Sequence, residues 1–329
     1  MRHWLGWLLA VVLPSSAVAQ PGVVEASKAR ATFVTLGTGG GPVIRLKRSE
    51  PANAVVVNGA VYLFDAGDGV QRQMLAADLA LPTVRAVFVS HHHIDHNAAL
   101  GPLLVSRWLF NGYVPLPVIG PPGTVAMVAG IATAFRATEL APIAIGGPPK
   151  PALADTIAAT DMAKTMDTPT LVYSDENIRV FAITNDHYHF ASGSPEAAAA
   201  RSYSFRIETA GRSFVYTGDT GPSPHLEALA KGADVLISEV IDLAAMSAIL
   251  ERATDIPPGA LAPMIAHMAQ DHLTPANVGA IAARAGVKQV VLTHLVPGLD
   301  SETDMSGYLE GLTATYHGPV AIAHDLDRF

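Results

Sequence analysis

Ser90-His91-His92-His93-Ile94-Asp95-His96 is the stretch on which the reading of this chain turns. It follows residues 84–89, an apolar run rich in β-branched side chains that predicts a buried strand. It precedes residues 98–110, whose apolar spacing predicts a helix. Imidazole and carboxylate are the ligands that a borderline cation such as Zn²⁺ takes where thiolates are absent, and this chain has no cysteine. The i, i+2 spacing of His91 and His93 puts both rings on one side of an extended segment. Asp95 and His96 fall at the turn into the helix and can face a second position. One short stretch can therefore offer two ligands to each of two cations. A histidine run can also be a solvated, tag-like loop, but a setting between a strand and a helix argues against that here.

Further ligands must come from elsewhere among the thirteen histidines and the acids. Three residues have the right setting, each where a predicted strand ends. They are His187 after residues 180–184, Asp219 in Tyr216-Thr217-Gly218-Asp219, and His294 after residues 289–293. Strand ends are where α/β folds gather site residues. His189 competes with His187, which is favoured because it stands nearer the strand end.

Strands are predicted at 32–36, 54–57, 61–64, 117–119, 178–184, 202–208, 213–217, 235–239 and 289–293, besides 84–89. Helices are predicted at 69–79, 98–110, 123–136, 222–231 and 275–285, the last capped by Thr274. Strands dominate early and helices interleave within each half, which implies helices flanking a sheet-on-sheet core. Residues 141–170 carry several prolines and no sustained period, and read as a lid or insertion. Residues 20–329 read as one domain.

Composition narrows the chemistry. Without cysteine there is no disulfide framework, no thiolate zinc site and no cysteine nucleophile. The formal net charge is −8, and the densest cationic group is Arg45, Lys47 and Arg48, which argues against a nucleic-acid partner. Aromatic residues make up 6%, too few to suggest a stacking platform for single strands. At the N-terminus, Met1-Arg2-His3 precedes an apolar run over residues 4–13 and then Ala17-Val18-Ala19. This is the pattern of a cleavable signal peptide, with cleavage expected before Gln20 and a periplasmic or secreted destination. The run falls well short of the roughly 20 residues a bilayer span needs, so no stable membrane association is expected.

Taken in order, the motifs resemble the metallo-β-lactamase superfamily in its ribonuclease Z and arylsulfatase-like branch. The matching pieces are Leu36-Gly37-Thr38-Gly39, Leu63-Phe64-Asp65-Ala66-Gly67, the His91–His96 cluster, His187, Gly218-Asp219-Thr220 and Leu292-Thr293-His294. The resemblance implies a four-layer αβ/βα sandwich of two mixed sheets with helices outside. It also implies two zinc ions per chain, with His91, His93 and His187 on one, Asp95, His96 and His294 on the other, and Asp219 bridging. Asp65 resembles the acid that orients the histidine loop. His92 stands at a variable position and is left out.

Two cations about 3.5–4 Å apart lower the pKa of water toward neutrality and polarise the electrophile. Glu239 and His272 are similar to the Glu–His dyad of the ribonuclease Z branch, in which the histidine donates a proton to the leaving group. With Asp95, which also counts as a ligand, they form the expected catalytic set. The activity expected is hydrolysis of an ester-type bond in a small molecule, a sulfate ester or a phosphoester, with a lactonase or other carboxyl-ester or amide hydrolase as the alternative. A tRNA-processing role is set aside because the chain is acidic, carries a leader pattern and lacks an obvious Gly/Pro-rich basic arm. The β-lactamases that need a cysteine ligand are excluded, and a non-catalytic metal-binding module fits poorly with a complete ligand set. A homodimer is compatible with this reading.

Overall fold

Alternation along the strands sorts apolar side chains onto two faces, and this builds two sheets. The computed structural model describes residues 31–141 and 148–329; the leader expected at 1–19 lies outside them. The first sheet holds β1 (Thr32–Gly37), β2 (Ala52–Val57), β3 (Ala60–Ala66), β4 (Val84–Phe88), β5 (Leu116–Gly120) and β6 (Ile157–Asp161), in that spatial order. Its first three strands pair antiparallel and the rest parallel. The second sheet holds β7 (Thr170–Ser174), β8 (Ile178–Thr184), β9 (Tyr203–Thr209), β10 (Ser213–Tyr216), β11 (Val235–Ile241), β12 (Gln289–Val296) and β13 (Val320–Ile322). They lie in order from β13 back to β7, with β10 to β13 parallel and β7 to β10 antiparallel.

Neighbouring residues serve opposite faces, as a two-residue repeat demands. In β3, Tyr62 and Phe64 enter the core between the sheets while Val61 and Leu63 face the helices outside. The inter-sheet core is aromatic: Phe64 stacks on Phe88 at 4.8 Å, and both pack against Phe205 of the opposite sheet. Met74, Leu100 and Leu103 cover the first sheet from helices Val70–Ala76 and Leu100–Leu109. Leu226, Val278 and Ile281 cover the second from helices Pro224–Ala230 and Pro275–Ala285. Thr274 caps the latter by accepting from the Asn277 amide. This is the αβ/βα sandwich of two mixed sheets. Among the described residues, no helix is long and apolar enough to cross a membrane.

Three features differ from the sequence reading. The segment 141–170, read as a lid, contains the edge strand β6, and Met162 and Met166 are buried in the inter-sheet core. An edge strand needs only one partner and one covered face, so Ile-Ala-Ala-Thr-Asp shows no strong alternation. A hairpin of two helices, Leu243–Arg252 and Leu261–Asp271, was not foreseen. β12 also runs on through His294 to Val296.

Candidate metal centre

The strand ends converge at one edge of the sandwich. β4 leads into buried Ser90 and His91, and the short helix Ile94–Asn97 carries Asp95 and His96. His187 follows β8, and Asp219 follows β10 after Gly218, whose φ is +55°. His294 is aimed by a β-bulge. Glu239 pairs with Thr293 and Val240 with Leu295, so His294 is the extra residue, at φ +45°. Bulges re-aim side chains in this way beside active sites. The loop after β1 closes the edge: Gly41 N donates to Asp95 Oδ2, and a Cβ on Gly41 would stand 2.3 Å from the Asp95 Cβ.

The structure brings all seven expected ligands together. Ligand atoms of His91, His93, His187 and Asp219 lie within 4.8 Å of one another, as do those of Asp95, His96 and His294. Asp219 spans the two groups, with Oδ2 3.8 Å from His91 Nε2 and 3.2 Å from His294 Nε2, and Oδ1 3.3 Å from His96 Nε2. His91 Nε2, His96 Nε2, His294 Nε2 and Asp219 Oδ1 are buried without a hydrogen-bond partner. Such orphaned atoms cost free energy unless something meets them, and their chemistry fits a divalent cation.

The electrostatics agree. Burial pushes His187 down to about 3 and holds His91 and His93 below the ordinary imidazole value, leaving their lone pairs free. Burial also opposes charge on His294, but the Asp219 carboxylate overrides it and raises the ring to about 10. The same competition raises His96, where Asp219 and Asp95 win. Asp65, Asp95 and Asp219, buried together, demand nearby positive charge.

Asp65 (φ +64°) organises the cluster by accepting from Ser90 N, Ser90 Oγ and Tyr216 Oη at 2.7, 2.8 and 2.7 Å. Its Oδ2 also accepts from His96 Nδ1 at 2.8 Å, which turns His96 Nε2 toward the centre. Asp65→Asn is therefore expected to weaken metal affinity by roughly 10–100-fold. Competition with a chromogenic chelator measures this, and unchanged affinity would remove Asp65 from that role.

His187 Nδ1 donates to the Asp271 carbonyl at 2.9 Å and faces the cluster. His189 instead points to the Asp271 carboxylate at 2.6 Å, and His92 turns toward Thr124, so neither joins the ligand groups. His272 caps the helix Leu261–Asp271, with its Nδ1 2.7 Å from Glu239 Oε2 and its ring 5.3 Å from that of His187. Glu239 is fully buried inside β11, not at its end, and its Oε1 accepts from Thr220 N at 2.5 Å. Glu239 lies within ligand reach of Asp219 and His294, but both of its oxygens are already engaged. Burial opposes charge on His272, and Glu239 overrides it, raising the ring above the ordinary value.

Sequence reasoning missed Asp271, Ser90 and Tyr216. Only their adjacency to His272, His91 and the Gly218-Asp219 motif signalled them. Tyr203 donates into the core to the Ala163 carbonyl and takes no part in the cluster.

A buried His/Asp cluster at the edge of a two-sheet sandwich defines a metal-dependent hydrolase. A family model described as "Beta-lactamase superfamily domain" matches residues 61–295. The chain belongs to the metallo-β-lactamase superfamily, in its ribonuclease Z branch. It is 32% identical over 274 residues to a protein named Ribonuclease Z from Mycolicibacterium paratuberculosis, covering 81% of this chain and 86% of the relative. Human tRNase Z, short form, shares the fold with a TM-score of 0.62 at 20% identity, covering 91% of this chain and 98% of its own. Zn(2+)-bound PqqB from Methylobacterium extorquens shares it with a TM-score of 0.59 at 16% identity, covering 91% and 99%.

These relatives correct two expectations, an arylsulfatase-like or lactonase-like activity on a small-molecule ester and the absence of a nucleic-acid partner. The error has a physical source, since net charge sums over the surface and carries no position. The fold sets Arg72 beside Arg45, Lys47 and Arg48 around one groove that Glu50, Asp68 and Asp325 also line, and Arg45 lines the cavity over the metal centre as well. The side chains of Arg45, Lys47 and Arg48 donate to the Pro297, Asp300 and Ala323 carbonyls and to Thr38 Oγ1, while the Leu46 and Lys47 amides hold the Asp300 carboxylate close by.

Proposed function

We propose that this chain hydrolyses phosphodiester bonds of RNA with two zinc ions, in the manner its ribonuclease Z relatives are named for. The observation that carries the reading is the likeness to those relatives over most of both chains, joined to the two ligand groups that share Asp219. His91, His93 and His187 would hold one ion, Asp95, His96 and His294 the other, and Asp219 both. Bound there, the ions supply water of lowered pKa and charge neutralisation at the phosphoryl group.

The chain's own residues supply the rest. Asp65 and the Asp271 carbonyl fix the tautomers of His96 and His187. Asp95, held by Gly41 N, keeps its carboxylate at the centre. A ribose alkoxide leaves poorly without a proton, and His272, whose charged form Glu239 favours, stands beside the candidate ligands to give one. Glu239→Gln keeps the shape but removes the charge. It is expected to lower kcat about tenfold for alkoxide leaving groups, and much less for nitrophenolate, in matched rate measurements.

The deciding experiment presents the zinc-loaded chain with an RNA bearing a single-stranded 3′ extension and with bis(p-nitrophenyl) phosphate. Cleavage of both, abolished by chelator and restored by zinc, is expected, with close to two zinc equivalents by elemental analysis. Failure of the metal-replete chain to cleave any phosphodiester overturns the reading. The proposal keeps residues 20–329 as one unit and includes export with removal of residues 1–19. An intact N-terminal mass in active protein recovered outside the cytoplasm would refute that part.

A further inference from the structure

Above the candidate ligands lies a cavity of about 350 Å³. That is near the small end of ligand sites, which run roughly from 300 to 1,000 Å³. Its floor is the polar cluster already described, while its walls are largely apolar. Val43, Ile94 and Val296 form one side, and the helical hairpin closes the other with Met246 and Met268. The hairpin is hardly part of the core: across its two helices only Leu250 and Asp271 are buried. Its methionines are thus turned to a cavity and not to a packed interior. Asp271 locks this wall to the metal centre. Its carboxylate stands 2.6 Å from both His189 Nδ1 and His267 Nδ1, and its carbonyl accepts from the ligand His187.

We propose that Met246 and Met268 form a seat for one unpaired nucleobase flanking the scissile phosphate, which makes the hairpin the specificity wall of the site. This rests on the phosphodiesterase reading above. A cavity of this volume has room for one nucleoside unit and not for a base pair, so the base it takes is an unpaired one. Thioethers are polarizable and adaptable, make favourable contacts with aromatic rings, and accept any planar base. The wall therefore selects for the presence of a base and not for its sequence, as stacking sites do.

The test compares two diesters with the same p-nitrophenolate leaving group on the zinc-loaded full chain. One is uridine 5′-(p-nitrophenyl phosphate), which carries a base, and the other is methyl p-nitrophenyl phosphate, which does not. The wild type is expected to show the lower KM for the uridine ester. The Met246→Ala/Met268→Ala variant is expected to raise that KM about tenfold, the typical loss when a base-stacking side chain is truncated. Its kcat/KM for the methyl ester and its zinc content should stay within about twofold. Met246→Leu/Met268→Leu, which keeps the wall apolar, should retain most of the preference.

Equal KM values for both esters in the wild type would overturn the seat while leaving the phosphodiesterase reading intact. So would an equal loss on both esters in the alanine variant. Exposed Phe190, stacked on Tyr188 beside His93, is the competing platform. Loss of the base preference in Phe190→Ala with its retention in the methionine variant would place the base there and overturn the proposal. Cleavage of neither ester by a chain that still cleaves RNA would overturn the seat alone, and loss of RNA cleavage as well would remove the phosphodiesterase reading with it.

Discussion

Asp219→Ala is expected to lose at least one of two bound zinc ions and about 10³-fold or more in turnover. Asp219 alone reaches both ligand groups, with oxygens 3.2–3.8 Å from nitrogens of His91, His96 and His294. Metal-ion catalysis contributes several kcal/mol of transition-state stabilisation, and each 1.36 kcal/mol is worth about a factor of ten. Removing the carboxylate also takes from His96 and His294 one of the acids that offset their burial, leaving Asp95 beside both, so the alanine variant carries a folding risk. Asp219→Asn controls for this, since it keeps the volume and one carbonyl oxygen while losing the charge. Elemental analysis, turnover and circular dichroism on both variants separate the outcomes. A folded Asn variant with both ions and normal turnover would remove Asp219 from the bridging position.

His272→Ala is expected to lower kcat by ~10²–10⁴ while leaving the zinc content unchanged, the usual effect of losing a positioned general acid. The loss should be greatest for RNA and alkyl esters, whose alkoxides need a proton, and should shrink for nitrophenyl esters. His272 sits outside the seven-residue ligand groups, yet its ring is 5.3 Å from that of His187 and 6.1 Å from that of His294. Glu239, buried and 2.7 Å away, keeps it oriented and favours its protonated form. Loss of zinc in this variant, or an equal loss of rate for every leaving group, would show that His272 supports the metal centre and does not donate the proton.

The case against a nucleic-acid partner began with the net charge of −8. That sum carries no positions: Arg45, Lys47, Arg48 and Arg72 share one groove with Glu50, Asp68 and Asp325, and Arg45 also reaches the cavity over the candidate ligands. Counterion release on binding RNA depends on local cations, and a remote carboxylate is screened within about 8–10 Å at ordinary salt. Local charge, and not the total, bears on the partner.

The sequence by itself set out the candidate ligand types, their order and the two-sheet class. His91, His93, Asp95 and His96 are neighbours in the chain, so their spacing already limits which atoms can share a cation. The unbroken apolar run Val61-Tyr62-Leu63-Phe64 likewise announces a strand buried on both faces. Only the tertiary structure decided the remainder. The bulge that aims His294, the burial of Glu239 within β11 and the reach of Asp271 to three histidines depend on strand register and on helices packed from distant parts of the chain. The hairpin wall was absent from the sequence reading although its helices carry an apolar stripe as clear as that of Pro275–Ala285; that the stripe lines a cavity is decided by the tertiary structure. Short-range spacing is written in the chain, whereas which distant groups meet, and at what distance, follows from how the sheets stack.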